Sequence, residues 1–202
     1  MKYDAILFDF DGVLMDSEPV HFACWREVLR TLGIRVEWET YAAHCVGASE
    51  PATMEFFARL AQPPREADEI RALYPAKMEC FARRMEQELP FTPGIREFLT
   101  GLDGRYRAAV VSSSSRAELE PLLERGGIRR CFQALVFGED VERHKPAPDP
   151  YLLAARLVGA RAPLVVEDSD AGMESARGAG FDAVRIPAAA RTVELVRAAL
   201  EN

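Results

Sequence analysis

The chain has 202 residues, 49% of them hydrophobic and 28% charged, and its net charge is −7. That length suits one sizeable domain, or one domain with a second inserted into it, and nothing in the composition signals disorder. The acidic balance speaks against a nucleic acid or an anionic membrane as partner, so positive potential for an anionic substrate must be made locally.

The four cysteines, Cys24, Cys45, Cys80 and Cys131, stand at neither metal-ligand nor redox spacing and read as small buried hydrophobes in a reducing compartment. Asp4 places an acidic residue where a signal peptide would begin its apolar core, so no signal peptide is expected, and no apolar run approaches the ~20 residues that span a bilayer. A cytoplasmic monomer is the expectation. Of the 25 basic residues three are lysine, Lys2, Lys77 and Lys145, which marks those positions as candidates for a compact ammonium charge.

In chain order, the first apolar run, Ala5–Asp9, reads as a buried strand. Helical periodicity follows over Val20–Leu32, Pro51–Leu60 and Arg65–Glu88, and Pro90 and Pro93-Gly94 then punctuate the chain before another helix, Ile95–Leu102. Further short apolar runs, Arg107–Ser112, Ala134–Phe137, Leu164–Glu167 and Ala183–Ile186, read as buried strands of a parallel sheet covered on both faces. Between them lie helical patterns at Arg116–Arg125, Asp149–Val158 and Ala171–Arg177, the last stopped by Gly178-Ala179-Gly180. Strand alternating with helix predicts an α/β fold with a doubly wound, Rossmann-like parallel sheet. The roughly ninety residues after the first strand are far too many for an ordinary crossover, and predict an inserted helical domain. The expected boundaries are 1–15 and 89–202 for the core and 16–88 for the insertion.

Ligands of open α/β sheets sit at the carboxyl ends of the strands. Here those ends read Asp9-Phe10-Asp11-Gly12-Val13, Ser112-Ser113-Ser114-Ser115, Arg143-His144-Lys145-Pro146 and Glu167-Asp168-Ser169-Asp170. Four carboxylates on one rim would repel one another, and Mg²⁺ resolves this because it takes carboxylates, carbonyls and phosphate oxygens. The serines and the lysine suit the remaining oxygens of a phosphate.

These motifs, in this order along nearly the whole chain, closely resemble the haloacid dehalogenase superfamily, in its branch with a helical cap after the first strand. Within that branch the chain looks most like the beta-phosphoglucomutase-like phosphatases. The resemblance implies Asp9 as nucleophile, Asp11 as general acid and base, and Ser113, with Ser114 and Ser115 beside it, as ligands of the transferring phosphoryl group. It implies that Lys145 neutralises Asp9 and the phosphate. It also implies a magnesium site made by Asp9, the Asp11 carbonyl, Glu167 and Asp168. The expected cap contacts to substrate are His21, Ser49, Glu50 and Lys77. The physics agrees with these roles, since a carboxylate attacks an anionic phosphate only when cations cancel the repulsion.

The expected reaction is hydrolysis of a small phosphate monoester, a sugar or polyol phosphate, through an aspartyl-phosphate. The alternative is a phosphosugar mutase. The mutases carry an arginine after a Gly-x-Ser turn, and in the matching turn Gly47-Ala48-Ser49-Glu50 that place holds a carboxylate. Asp11 argues against the dehalogenases and the phosphonate-cleaving members, which lack it. The long insertion argues against a signalling receiver domain. His44 and His144 read as structural.

Overall fold

The first strand is short because its sequence changes character abruptly: four apolar residues, Ala5–Phe8, are followed by Asp9. In the computed structural model, residues 2–201 are described except Gly47, Ser49, Glu88 and Asp103, and Glu50 is described without its side chain. In chain order the described residues form β1 (Ala5–Phe8), α1 (Glu18–Leu29), α2 (Trp38–His44), α3 (Glu50–Leu60), α4 (Ala67–Arg71), α5 (Tyr74–Gln87) and α6 (Ile95–Leu102). Then come β2 (Arg107–Val111), α7 (Arg116–Arg125), β3 (Ala134–Val136), α8 (Asp149–Val158), β4 (Pro163–Glu167), α9 (Asp170–Gly178), β5 (Asp182–Arg185) and α10 (Thr192–Glu201). The chain divides into two compact units, Met1–Asp16 with Leu89–Asn202, and Ser17–Glu88.

The first unit holds a five-stranded sheet in the order β3-β2-β1-β4-β5, parallel throughout. Phe8 stands opposite Val110 on one side and Val166 on the other, which brings the ends of β1, β2 and β4 to one level. Leu7, Ala109, Val111 and Val165 share a cluster with Tyr151 and Ala154 of α8 and Ala176 of α9. The expectation of five buried strands holds for four. β5 is one of the two edge strands, with Asp182 and Arg185 exposed, whereas β3, at the other edge, is buried throughout.

After β1 the chain turns at Gly12, whose φ of 71° lies in the region that favours glycine, and its amide donates to the Met15 carbonyl at 2.8 Å. Met15 then pairs antiparallel with Phe91, so the chain leaving β1 lies beside the chain that returns. The buried hydroxyls of Thr92 and Thr192 both donate to the Val13 carbonyl, at 2.7 and 3.0 Å, and satisfy a backbone acceptor that no ladder reaches.

The second unit is helical and has its own core, in which Trp25, Leu29, Met54, Phe57 and Ile70 are buried together. Two expectations are corrected here. The pattern Arg65–Glu88 is two helices rather than one, because Pro75 restarts the helix in the first turn of α5. α2 was not expected: it is seven residues long and buries Tyr41 while Trp38 stays exposed. α10 in the first unit was also missed. No helix of the described residues is long and apolar enough to cross a membrane.

Candidate active site

Asp9 is the first residue past β1, and its amide still donates to Val166 at 2.9 Å, so the rigid centre of the sheet fixes its side chain. Its carboxylate is buried. Lys145 reaches it from the segment before α8: Nζ donates to Asp9 Oδ1 at 2.6 Å, to Glu167 Oε1 at 2.6 Å and to the Val111 carbonyl at 3.0 Å. Three acceptors use all three ammonium donors. One lysine thereby ties together the ends of β1, β2 and β4.

Glu167, the last residue of β4, has no exposed surface. Its Oε1 also accepts from the Tyr151 hydroxyl at 2.9 Å, and its Oε2 accepts from the amides of Asp168 and Ser169 and from the Ser169 hydroxyl at 2.9–3.0 Å. Ser169 caps α9 as well, with Oγ accepting from the Gly172 amide at 3.0 Å. A Cβ at Gly172 would lie 1.7 Å from Glu167 Oε1, so only glycine lets the first turn of α9 come this close. The positive end of the helix is thus brought against a buried carboxylate.

The charges do not balance without help. Burial, followed by repulsion from Glu167, Asp11 and Asp168, raises the Asp9 carboxyl well above the carboxylate range against the pull of Lys145. Burial, followed by Glu167 and Asp11, pushes Asp168 up to about 6. Burial works against the charged forms of Lys145 and Glu167 too. Their mutual contacts outweigh it, holding the lysine above and the glutamate below their ordinary values.

Asp9, Glu167 and Asp168 each offer a carboxylate oxygen, and these oxygens lie within 4.8 Å of one another. A Cβ at Gly12 would lie 2.1 Å from Asp168 Oδ2, so the turn after β1 is packed against this group. Hard oxygen donors with an excess of negative charge fit a divalent cation.

Asp11, partly buried, forms a backbone bridge with Met15, and its charge acts on both Asp9 and Asp168. Of the serines, Ser113 is exposed and Ser114 and Ser115 are half-buried. The Ser115 hydroxyl donates to Glu118 at 2.9 Å and caps α7. Ser112, which the sequence did not single out, is buried: its amide pairs with Val136, and its Oγ accepts from the Ser114 amide at 3.1 Å. Tyr151 was missed as well, although Lys145-Pro146 sits only a few residues before it.

In the helical unit His21 and Lys77 come together. Lys77 is buried, its Nζ 2.8 Å from His21 Nδ1 and 5.3–5.9 Å from the ring centres of Phe81, Tyr74 and Trp25. The His21 ring stacks on Phe81 at 4.3 Å. Burial, then the Lys77 charge, lowers His21 to about 3, so its ring is neutral and Nδ1 accepts from the ammonium. Ser49 lies outside the described residues. Glu50 opens α3, and its side chain is not described.

A family model for haloacid dehalogenase-like hydrolases matches residues 6–186, nine-tenths of the chain. The chain belongs to that family. It is 32% identical to the fructose-1-phosphate phosphatase YqaB of Escherichia coli (strain K12) over 92% of this chain and 97% of that one. It is 31% identical to the phosphorylated carbohydrates phosphatase of Thermotoga maritima over 90% of this chain and 83% of that one. The structure of a beta-phosphoglucomutase from Clostridium difficile shares the fold, with a TM-score of 0.71 at 20% identity, over 90% of this chain and 83% of that one. The chain is therefore an enzyme of the phosphatase kind.

Proposed function

We propose that this chain hydrolyses the phosphate monoester of a small carbohydrate, with Asp9 as the nucleophile. The observation that carries the reading is the buried Asp9 carboxylate, bonded to Lys145 at 2.6 Å and facing Glu167 and Asp168. A divalent cation held by Asp9, Glu167 and Asp168, Mg²⁺ on the chemistry of the donors, neutralises the phosphate when bound.

The Asp9 carboxylate forms a bond to phosphorus as the bond to the sugar oxygen breaks, and Asp11 gives that oxygen its proton. Water then attacks the aspartyl-phosphate, Asp11 takes the water's proton, and phosphate leaves. Lys145, with all three donors committed, holds the nucleophile in place while its charge faces the phosphoryl group. The phosphoryl group also needs a hydroxyl from the end of β2. Burial at the sheet's rim favours Ser112 over the exposed Ser113. Two relatives named for phosphorylated carbohydrates support the substrate class.

The test is phosphate release from a panel of sugar phosphates by wild type and Asp9→Asn. Turnover by wild type that disappears in the variant and in EDTA is expected. An active Asp9→Asn protein would overturn the mechanism, and interconversion of glucose 1- and 6-phosphate without phosphate release would favour the mutase.

A further inference from the structure

The C-terminal end of α1 carries a group of arginines that the site above leaves unused. Arg26 and Arg30 stand one turn apart on the same face of that helix. Gly33 follows with a φ of 73° and its amide on the Arg30 carbonyl at 3.1 Å, and this turn returns Arg35 towards them. The three side chains, with Val36 and Glu37, line a pocket of about 370 Å³ on the surface of the helical unit. All three are exposed, and among the described residues none of them forms an ion pair.

Two ordinary duties of surface arginines are already filled here. Glu27, the neighbouring carboxylate on α1, is bound by Arg83 and Arg84 at 2.9 and 3.0 Å. The last carbonyls of α1, which a basic side chain often caps, are met by the chain itself. Val28 accepts from the Thr31 hydroxyl at 2.7 Å, and Leu29 and Arg30 accept from the Ile34 and Gly33 amides at 3.1 Å. Arg26 is instead laid over the Phe22 ring, 5.2 Å from its centre, and Phe22 packs against Trp38 and Tyr41. That aromatic shelf restricts the guanidinium before any ligand arrives, so binding has less side-chain entropy to remove.

We infer that Arg26, Arg30 and Arg35 form an anion site that takes a dianionic phosphate group. Three guanidinium charges against the one carboxylate of Glu37 leave an excess of two, which a phosphate dianion cancels. The planar fork of a guanidinium matches two phosphate oxygens at once, as an ammonium does not. The chain as a whole is acidic, so the pocket is not the edge of a general basic surface, and it suits a small anion rather than a polyanionic chain. Every lining residue belongs to Ser17–Glu88, and none to the unit that carries Asp9.

The experiment titrates inorganic phosphate into the folded full chain in EDTA, at an ionic strength held constant with chloride, and follows the arginine Nε–Hε resonances by NMR. Saturable shifts of Arg26, Arg30 and Arg35 with one shared Kd are expected. Arg161 and Arg177, exposed arginines outside the pocket, should stay unmoved, and acetate at the same concentrations should leave all of them unmoved. Arg30→Gln should weaken that Kd about tenfold or more, the loss of a hydrogen bond to a charged group. The protection that phosphate gives against thermal unfolding should shrink with it. Shifts spread over every exposed arginine, or an unchanged Kd in Arg30→Gln, would overturn the proposal. The wild-type titration decides the matter even if the variant does not fold, and binding is read at these side chains whether or not Asp9 is the nucleophile.

Discussion

The Tyr151 hydroxyl donates to Glu167 Oε1 at 2.9 Å at a depth where neither side chain meets solvent. The same oxygen accepts from Lys145, and the ammonium stands 5.0 Å from the centre of the Tyr151 ring. Tyr151→Phe removes one donor from a carboxylate that has five and leaves the core shape intact. A hydrogen bond to a charged group contributes about 1.5–3 kcal/mol, so stability should fall by that order. Urea unfolding checks this, and an unchanged midpoint would show that the other donors take up the load.

Two glycines separate the effect of a strained backbone from the effect of a blocked site. Gly12 and Gly104 both have positive φ, 71° and 73°, but a Cβ at Gly104 meets nothing within 4 Å while one at Gly12 meets Asp168 at 2.1 Å. Gly104→Ala should lower stability and leave turnover alone. Gly12→Ala should displace Asp168 and weaken activation by the divalent cation by about 10–100-fold, the range seen when the support of a metal ligand is disturbed. Titrating activity against Mg²⁺ in both variants distinguishes them.

His21 gives the helical unit a dependence on pH whose sign is fixed. Unfolded, its imidazole binds a proton near the ordinary value of 6.5, and folded it resists until about 3, because it is half-buried, stacked on Phe81 and held beside the Lys77 charge. Below pH 6.5 the unfolded chain therefore binds more protons than the folded one, and stability falls progressively as pH drops from about 6.5 towards 3. His21→Gln, which cannot titrate, should flatten that part of the curve. Thermal melts of both proteins across this window provide the check, and equal slopes would count against the neutral ring.

Within the serine run, Ser112→Ala should lower kcat/KM by roughly ten- to a hundredfold, the loss of one hydrogen bond to a charged group. Ser113→Ala should stay within a few-fold of wild type. The reverse order would return the role to Ser113.

The strands could be read to within a residue of their ends because the buried runs stop at a polar residue or a glycine: Phe8 before Asp9, Val111 before Ser112, and the run through Val136 and Phe137 before Gly138. Asp9 and Glu167 were legible for the same reason, standing at the ends of β1 and β4, while Lys145, well past β3, was marked by the scarcity of lysine and by its Lys-Pro pair. Ser112 was not, since four identical side chains in a row carry no sign of which one continues the strand pairing. Tyr151 reads as core from its apolar neighbours, and its hydroxyl acquires a partner only when α8 is laid against β4. α2 has too few turns to show a period.

The sheet order has a consequence for the newly made chain. β1 lies between β2 and β4, and neither neighbour exists until Arg107 has been synthesised. While the ribosome makes the helical unit, Ala5–Phe8 is an apolar segment with every backbone donor and acceptor unpaired, the kind of segment that associates with other chains. Ser17–Glu88, by contrast, is continuous in sequence and has its own core, so it can fold as it emerges. The nucleophile's strand is made early and must wait. Once folded, the helical unit shortens the span of disordered chain that must be closed to bring β2 to β1.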